Sequence, residues 1–168
     1  MARLNGTIEI FLQPGDLFVA SAGYQIRTIL GSCVSITLWH PSSATGGMSH
    51  FLLPTRGSAP KAQELDGRYG DEALLMLLSQ LATRGIAPSE CQAKVFGGGN
   101  MFPDHQFDGV VSVGQRNGEA ACRMLAQHRI PLASESLFGN GHRQIIFDVG
   151  KGDVWVHQVR PSQSKLPV

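Results

Sequence analysis

Cys33, in Thr28-Ile29-Leu30-Gly31-Ser32-Cys33-Val34, is followed seventeen residues later by His50, in His50-Phe51-Leu52-Leu53-Pro54. A thiol and an imidazole are the minimum pair for nucleophilic attack on a carbonyl. The sulfur attacks as thiolate, and the imidazole carries the proton. Gly31 is expected to take backbone angles closed to other residues, giving a tight turn that presents Cys33. Val34, Ile36 and Leu38 then alternate with Ser35, Thr37 and Trp39, the period of a half-buried strand. On spacing alone the pair stays open between two readings. Unpaired cysteine is also a small core hydrophobe, and a histidine beside Phe51 and Leu52 is also a satisfied structural residue.

The elements that must position such a pair are legible in outline. Strands are expected over 7–12, 16–20, 24–30, 33–39 and 48–53, with Gln13-Pro14-Gly15 as a turn and 40–47 as a polar hairpin connection. Residues 54–70 read as a Gly/Pro-rich surface loop just past His50. Asp71 to Arg84 is the clearest helix, with acidic residues in its first turn, Leu74, Leu78 and Leu81 at helical spacing, and Gly85 as its stop. A strand over 93–96 enters Gly97-Gly98-Gly99-Asn100. A second amphipathic helix spans 115–128 with Ala121, Met124 and Leu125 inside. Strands over 131–137, 143–149 and 153–159 follow, the last two joined by Gly150-Lys151-Gly152. Strands come in runs and do not alternate strictly with helices, so the fold class is α+β. One domain over 1–160 is expected, with 161–168 as a flexible tail.

Composition narrows the function classes. The 168 residues carry 14 basic and 13 acidic side chains, a net charge of +1, and no block of like charge. That balance offers no electrostatic footprint for nucleic acid or an anionic membrane. No apolar run reaches the ~18 residues of a membrane span, and residues 1–6 lack the apolar stretch of a signal peptide. The three scattered cysteines are expected to be reduced thiols of a cytoplasmic protein, with Cys91 and Cys122 structural. The six histidines are dispersed, so no metal site is expected. After Gly97-Gly98-Gly99, Pro103 stops the helix that a phosphate cradle needs, which favours a close backbone approach to the active site or a partner.

Taken together, Leu30-Gly31-Ser32-Cys33-Val34, His50 with Leu53-Pro54, Arg68-Tyr69, Ala93-Lys94-Val95-Phe96-Gly97-Gly98-Gly99-Asn100-Met101-Phe102 and Val113-Gly114-Gln115-Arg116-Asn117 resemble the chemoreceptor glutamine deamidase family, CheD. The resemblance runs in register from about Gly23 to Val156. It departs from the family at His142, where a small residue is expected before Arg143. The resemblance implies a β-sheet core flanked by helices, similar to toxin deamidases. It also implies a cytoplasmic enzyme that converts receptor glutamines to glutamate through a cysteine thioester, with no cofactor. Cys33 matches the family nucleophile and His50 its base, here expected in ion-pair contact. Thr28, the only threonine in its stretch, matches the residue that orients the histidine. Gly31 and Ser32 are the candidate oxyanion turn, and Gly98, Gly99, Asn100 and Phe102 candidate contacts to receptor helices. Two other readings compete: a regulatory partner of a CheC-type phosphatase, with or without catalysis, and a generic cysteine amidase.

Overall fold

The computed structural model describes residues 2–4, 6–57, 64–103 and 109–160. The tail expected at 161–168 and His105 lie outside them. Among the described residues ten strands form two five-stranded sheets. The first sheet is ordered β1 (Ala2–Leu4), β2 (Thr7–Phe11), β4 (Tyr24–Leu30), β9 (His142–Asp148), β10 (Val154–Val159). Within it β2 and β4 run parallel and the other pairs antiparallel. The second is ordered β3 (Leu17–Ser21), β6 (Thr45–Ser49), β5 (Val34–His40), β7 (Gln92–Gly97), β8 (Leu132–Leu137), with β7 and β8 its parallel pair. The described residues also form two α-helices, α1 (Gly70–Ala82) and α2 (Val113–Gln127). The α+β expectation is met, with both helices on one face of the second sheet.

Two cores separate three layers. Between the sheets lie Ile26, Leu30, Met48, Phe96, Ile145 and Phe147. Between the second sheet and the helices lie Val34, Ile36, Leu38, Phe51, Leu74, Leu77, Ala121 and Leu125. Strand β5 therefore has both faces covered: Ser35 and Thr37 are as buried as Val34, Ile36 and Leu38. The alternation that suggested a half-buried strand instead sorts the residues between two cores. Trp39 bridges the sheets by donating its indole N–H to the Val149 carbonyl at 2.8 Å.

Two details differ from expectation for packing reasons. The segment 45–47 belongs to β6, not to a hairpin connection. A Cβ on Gly46 would sit 2.5 Å from the Leu38 carbonyl oxygen, and one on Gly47 2.8 Å from Val19. These glycines are there so that β6 can pass between β3, β5 and α1. Likewise α1 buries Leu77 fully while Leu78 is only partly covered. The short edge strand β1 has no clear strand signal in its sequence. Among the described residues no helix is long and apolar enough to cross a membrane.

Candidate active site

The site is assembled across the two sheets. Thr28 lies on β4, whose residues Ile26, Thr28 and Leu30 all point into the inter-sheet core. His50 follows directly on β6, and its own backbone is doubly held. Its N–H donates to the Asp16 carbonyl at 3.0 Å, and its carbonyl accepts from Gly15 at 2.8 Å. Thr28 and His50 are each only 2% exposed. Thr28 Oγ1 lies 2.8 Å from the Leu12 carbonyl oxygen and 2.7 Å from His50 Nδ1. A hydroxyl has one proton, and the Leu12 carbonyl can only accept it. The oxygen must therefore accept from His50 Nδ1–H, and the lone pair of the ring is placed on Nε2.

The protonation state agrees with that tautomer. Burial holds the His50 imidazole down at about 4, with Asp16 pulling weakly the other way. At neutral pH the ring is uncharged. Its Nε2 is buried and meets no hydrogen-bond partner among the described residues. A neutral, oriented imidazole with an open lone pair is a general base.

Cys33 reaches the same face through strand register. Val34 and Phe51 exchange both backbone hydrogen bonds, at 3.1 and 2.9 Å. Continuing that register sets Ser35 opposite His50 and Cys33 opposite Leu52. Cys33 and His50 are thus diagonal neighbours on one face, a relation that separates α-carbons by roughly 7–8 Å. Cys33 is a half-buried free thiol that packs on the inter-sheet core, and burial pushes its pKa up. No hydrogen bond joins Cys33 Sγ to His50 Nε2. The expected resting ion pair is therefore replaced by a neutral thiol and a neutral imidazole, because both groups are removed from the water that would solvate separated charges.

The turn before Cys33 is braced by the glycine run. Gly98 N–H donates to the Cys33 carbonyl at 3.0 Å and Gly99 N–H to the Gly31 carbonyl at 2.9 Å. A Cβ on Gly97 would sit 2.2 Å from Cys33 O, and Gly97 has φ 110°. Gly31 does not take the backbone angles expected of it. Its φ is outside the left-handed region, and a Cβ there would meet only the flexible, 40% exposed side chain of Met101, at 2.9 Å from Sδ.

Two buried polar residues hold these segments and had no individual role in the sequence reading. Arg143, 2% exposed, donates to the Gly97 carbonyl, Ser136 Oγ and the Phe138 carbonyl. Asn117 on α2 donates to the carbonyls of Ser32 and Leu52. The signal for Asn117 was its spacing: it lies one turn before Ala121, on the apolar side of the helix.

Of the remaining candidates, Ser32 and Gly99 line a shallow cavity of about 190 Å³ with Asn100, Met101, Phe102 and Val113. Asn100 Oδ1 accepts from Phe102 N–H at 2.9 Å, turning the chain so that Phe102 stands 70% exposed. Gly98 packs against Gly114 and lines a neighbouring cavity with Asn100 and Gln115. Among the described residues no group of three or more His, Cys, Asp or Glu is placed to hold a metal ion.

Fold and site together define a class. A thiol beside a neutral, pre-oriented imidazole on a two-sheet α+β scaffold has the equipment for acyl chemistry at a carbonyl or carboxamide. The chain belongs to the CheD family. The model of that family, described as CheD chemotactic sensory transduction, matches residues 52–158. The match starts just after His50, but full-length relatives extend further. The chain is 64% identical over 161 residues to the probable chemoreceptor glutamine deamidase CheD 2 of Albidiferax ferrireducens, covering 96% of this chain and 93% of that protein. It is 48% identical over 160 residues to the probable chemoreceptor glutamine deamidase CheD of Pseudomonas syringae pv. tomato, covering 94% of each. A Nitratidesulfovibrio vulgaris protein of the same name is 38% identical over 162 residues, covering 95% of this chain and 81% of the relative.

Proposed function

We propose that this chain hydrolyses glutamine side chains of chemoreceptors to glutamate and ammonia, with Cys33 as nucleophile, His50 as base and Thr28 orienting His50. The observation that carries the assignment of roles is the Thr28–His50 contact at 2.7 Å. It leaves the base lone pair on Nε2, on the strand face shared with Cys33. In the first step the Cys33 proton passes to His50 Nε2 as sulfur attacks the carboxamide carbon, and the carbonyl π electrons move to oxygen. Collapse of that intermediate expels ammonia, which takes the proton from the imidazolium, and leaves a thioester. Water, deprotonated by His50, then attacks the thioester carbon; the C–S bond breaks, the departing Cys33 sulfur takes the proton back from His50, and the acid formed gives its remaining proton to solvent as the glutamate carboxylate.

Resting neutrality is compatible with this chemistry. Proton transfer from sulfur to Nε2 is needed only as the amide approaches, when developing charge on the substrate oxygen accompanies it. A protein-borne glutamine fits the surroundings better than the free amino acid. The two arginines that could have held an α-carboxylate are engaged: Arg27 with Glu9 at 2.6 Å and Arg56 with Glu72 at 2.7 Å. The exposed apolar rim of Met101, Phe102 and Val113 suits the side of a receptor helix. The same rim supports a second role, pairing with a CheC-type phosphatase. Cytoplasmic residence is part of the proposal, supported by three free cysteines.

The test is incubation with a chemoreceptor cytoplasmic fragment, followed by ammonia release and peptide mass spectrometry for amide-to-acid conversion. Release from the receptor fragment should far exceed release from free glutamine at equal amide concentration. Equal rates on both would return the chain to the generic amidase reading.

A further inference from the structure

Asn117 is fully buried on the inner face of α2, among Gly114, Gly118, Ala120, Ala121 and Leu125. Its Nδ2 lies 3.0 Å from the Ser32 carbonyl oxygen and 2.8 Å from the Leu52 carbonyl oxygen. Both partners are acceptors, so the amide must turn its nitrogen to them. These are not two arbitrary carbonyls. Leu52 stands opposite Cys33 in the register described above, and Ser32 O belongs to the peptide whose nitrogen is that of Cys33.

A trans peptide is planar, with its C=O and N–H pointing in opposite directions. Holding Ser32 O against α2 therefore aims Cys33 N–H away from the helix layer. The Cys33 side chain also leaves that layer, since it packs on the inter-sheet core. Val34 N–H is committed to Phe51, Gly98 N–H to Cys33 and Gly99 N–H to Gly31, while the adjacent Ser32 N–H has no acceptor among the described residues. Cys33 N–H likewise meets no acceptor among the described residues. We infer that Asn117 is a positioning residue that locks the Ser32–Cys33 peptide so that Cys33 N–H donates to the oxyanion formed when Cys33 Sγ adds to a carbonyl. The inference rests on Cys33 being the nucleophile of the proposed function, and it adds the oxyanion donor and what aims it.

The experiment compares two reactions of the same sulfur. p-Nitrophenyl acetate acylates the thiol through a tetrahedral oxyanion: sulfur bonds to the acyl carbon, the thiol proton passes to His50, and p-nitrophenolate leaves. Iodoacetamide alkylates it by displacement of iodide, with no oxyanion. Both are followed at Cys33 by peptide mass spectrometry, with Cys33→Ala as the blank. Asn117→Ala should slow acylation by about 10²-fold, the effect of losing one oxyanion donor, while alkylation changes by no more than about threefold. Equal falls in both rates would show a merely structural role and overturn the inference, as would unchanged acylation. If Asn117→Ala does not fold, Asn117→Asp keeps the volume, replaces the donors by acceptors and carries the same comparison. A reading without substitution is the Cys33 amide proton in the wild-type chain. It should move downfield when the acetyl thioester forms, and an unmoved resonance overturns the inference. Neither probe involves a receptor. Loss of receptor deamidation with intact acylation would therefore strike the proposed function and leave this inference standing.

Discussion

Replacing Thr28 with valine keeps the shape of the side chain and removes the oxygen that holds His50. Thr28 Oγ1 accepts from Nδ1–H at 2.7 Å and is buried, so no water takes its place easily. The ring then has an escape that does not require unfolding: it moves its proton to Nε2. With valine at 28 neither buried ring nitrogen has a partner, so nothing holds the proton on Nδ1, and a ring that carries it on Nε2 has lost the base because its lone pair faces the valine methyls. Losing the Thr28 hydrogen bond removes about 1–3 kcal/mol of preference for the competent tautomer and ring orientation, so the competent population falls by at most roughly 5- to 150-fold. The deamidation kcat on a receptor fragment should drop by that factor, while KM stays nearly constant because Thr28 is out of reach of substrate. Thr28→Ser restores the oxygen and should recover most of the rate. The orphaned Leu12 carbonyl also lowers stability, so the assay is run where circular dichroism shows both proteins folded. A Thr28→Val enzyme with wild-type kcat would refute the tautomer argument outright.

The acid limb of kcat/KM should fall near pH 4, following His50, and not near the 6.5 of a solvated imidazole; an inflection near 6.5 would overturn the burial argument. The same depressed value means the unfolded chain binds more protons between pH 6.5 and about 4, so stability is complete above 6.5 and declines by on the order of 3 kcal/mol as pH falls through that window. Urea titrations at several pH values read this directly, and a flat profile across it would contradict it. Burial of Cys33 predicts that its alkylation by iodoacetamide inflects above the ordinary thiol range, and an inflection below neutrality would restore the resting ion pair. Cys33→Ala should abolish ammonia release while Cys122→Ala retains it; turnover by the former would remove Cys33 as nucleophile. Gly97→Ala drives a Cβ toward Cys33 O from a left-handed backbone, so it should lose at least about 2 kcal/mol of stability and lower kcat together, and an unchanged Tm would count against the brace.

Most elements were readable because their cores impose a period. Strand β4 alternates and the two helices carry apolar stripes, and these landed within a residue or two of expectation. Misreadings arose where a position answers to a distant neighbour. Gly46 and Gly47 look like a turn until Leu38 and Val19 are brought against them. Gly31 looks like a backbone hinge, yet its φ lies outside the left-handed region. The Cys33 and His50 pair was visible in residue type, and Thr28 through family resemblance. Its charge state was not visible, since that depends on how deeply two sheets bury both groups. Asn117 and Arg143 were harder still. Each is a buried polar side chain whose partners, Ser32 and Gly97 among them, lie far along the chain.

Thr28 belongs to one sheet, while His50 and Cys33 extend the strands of the other. A contact of 2.7 Å therefore spans the seam between two independently hydrogen-bonded slabs. Turnover becomes a strain gauge for that seam: sliding one slab past the other by a fraction of an ångström would detune the base before any strand separates. Shortening a wedge in the seam far from the thiol, such as Phe147→Leu, should then dim catalysis while the far-ultraviolet spectrum still reads native. A cell carrying such a variant would lose receptor deamidation with its protein still abundant.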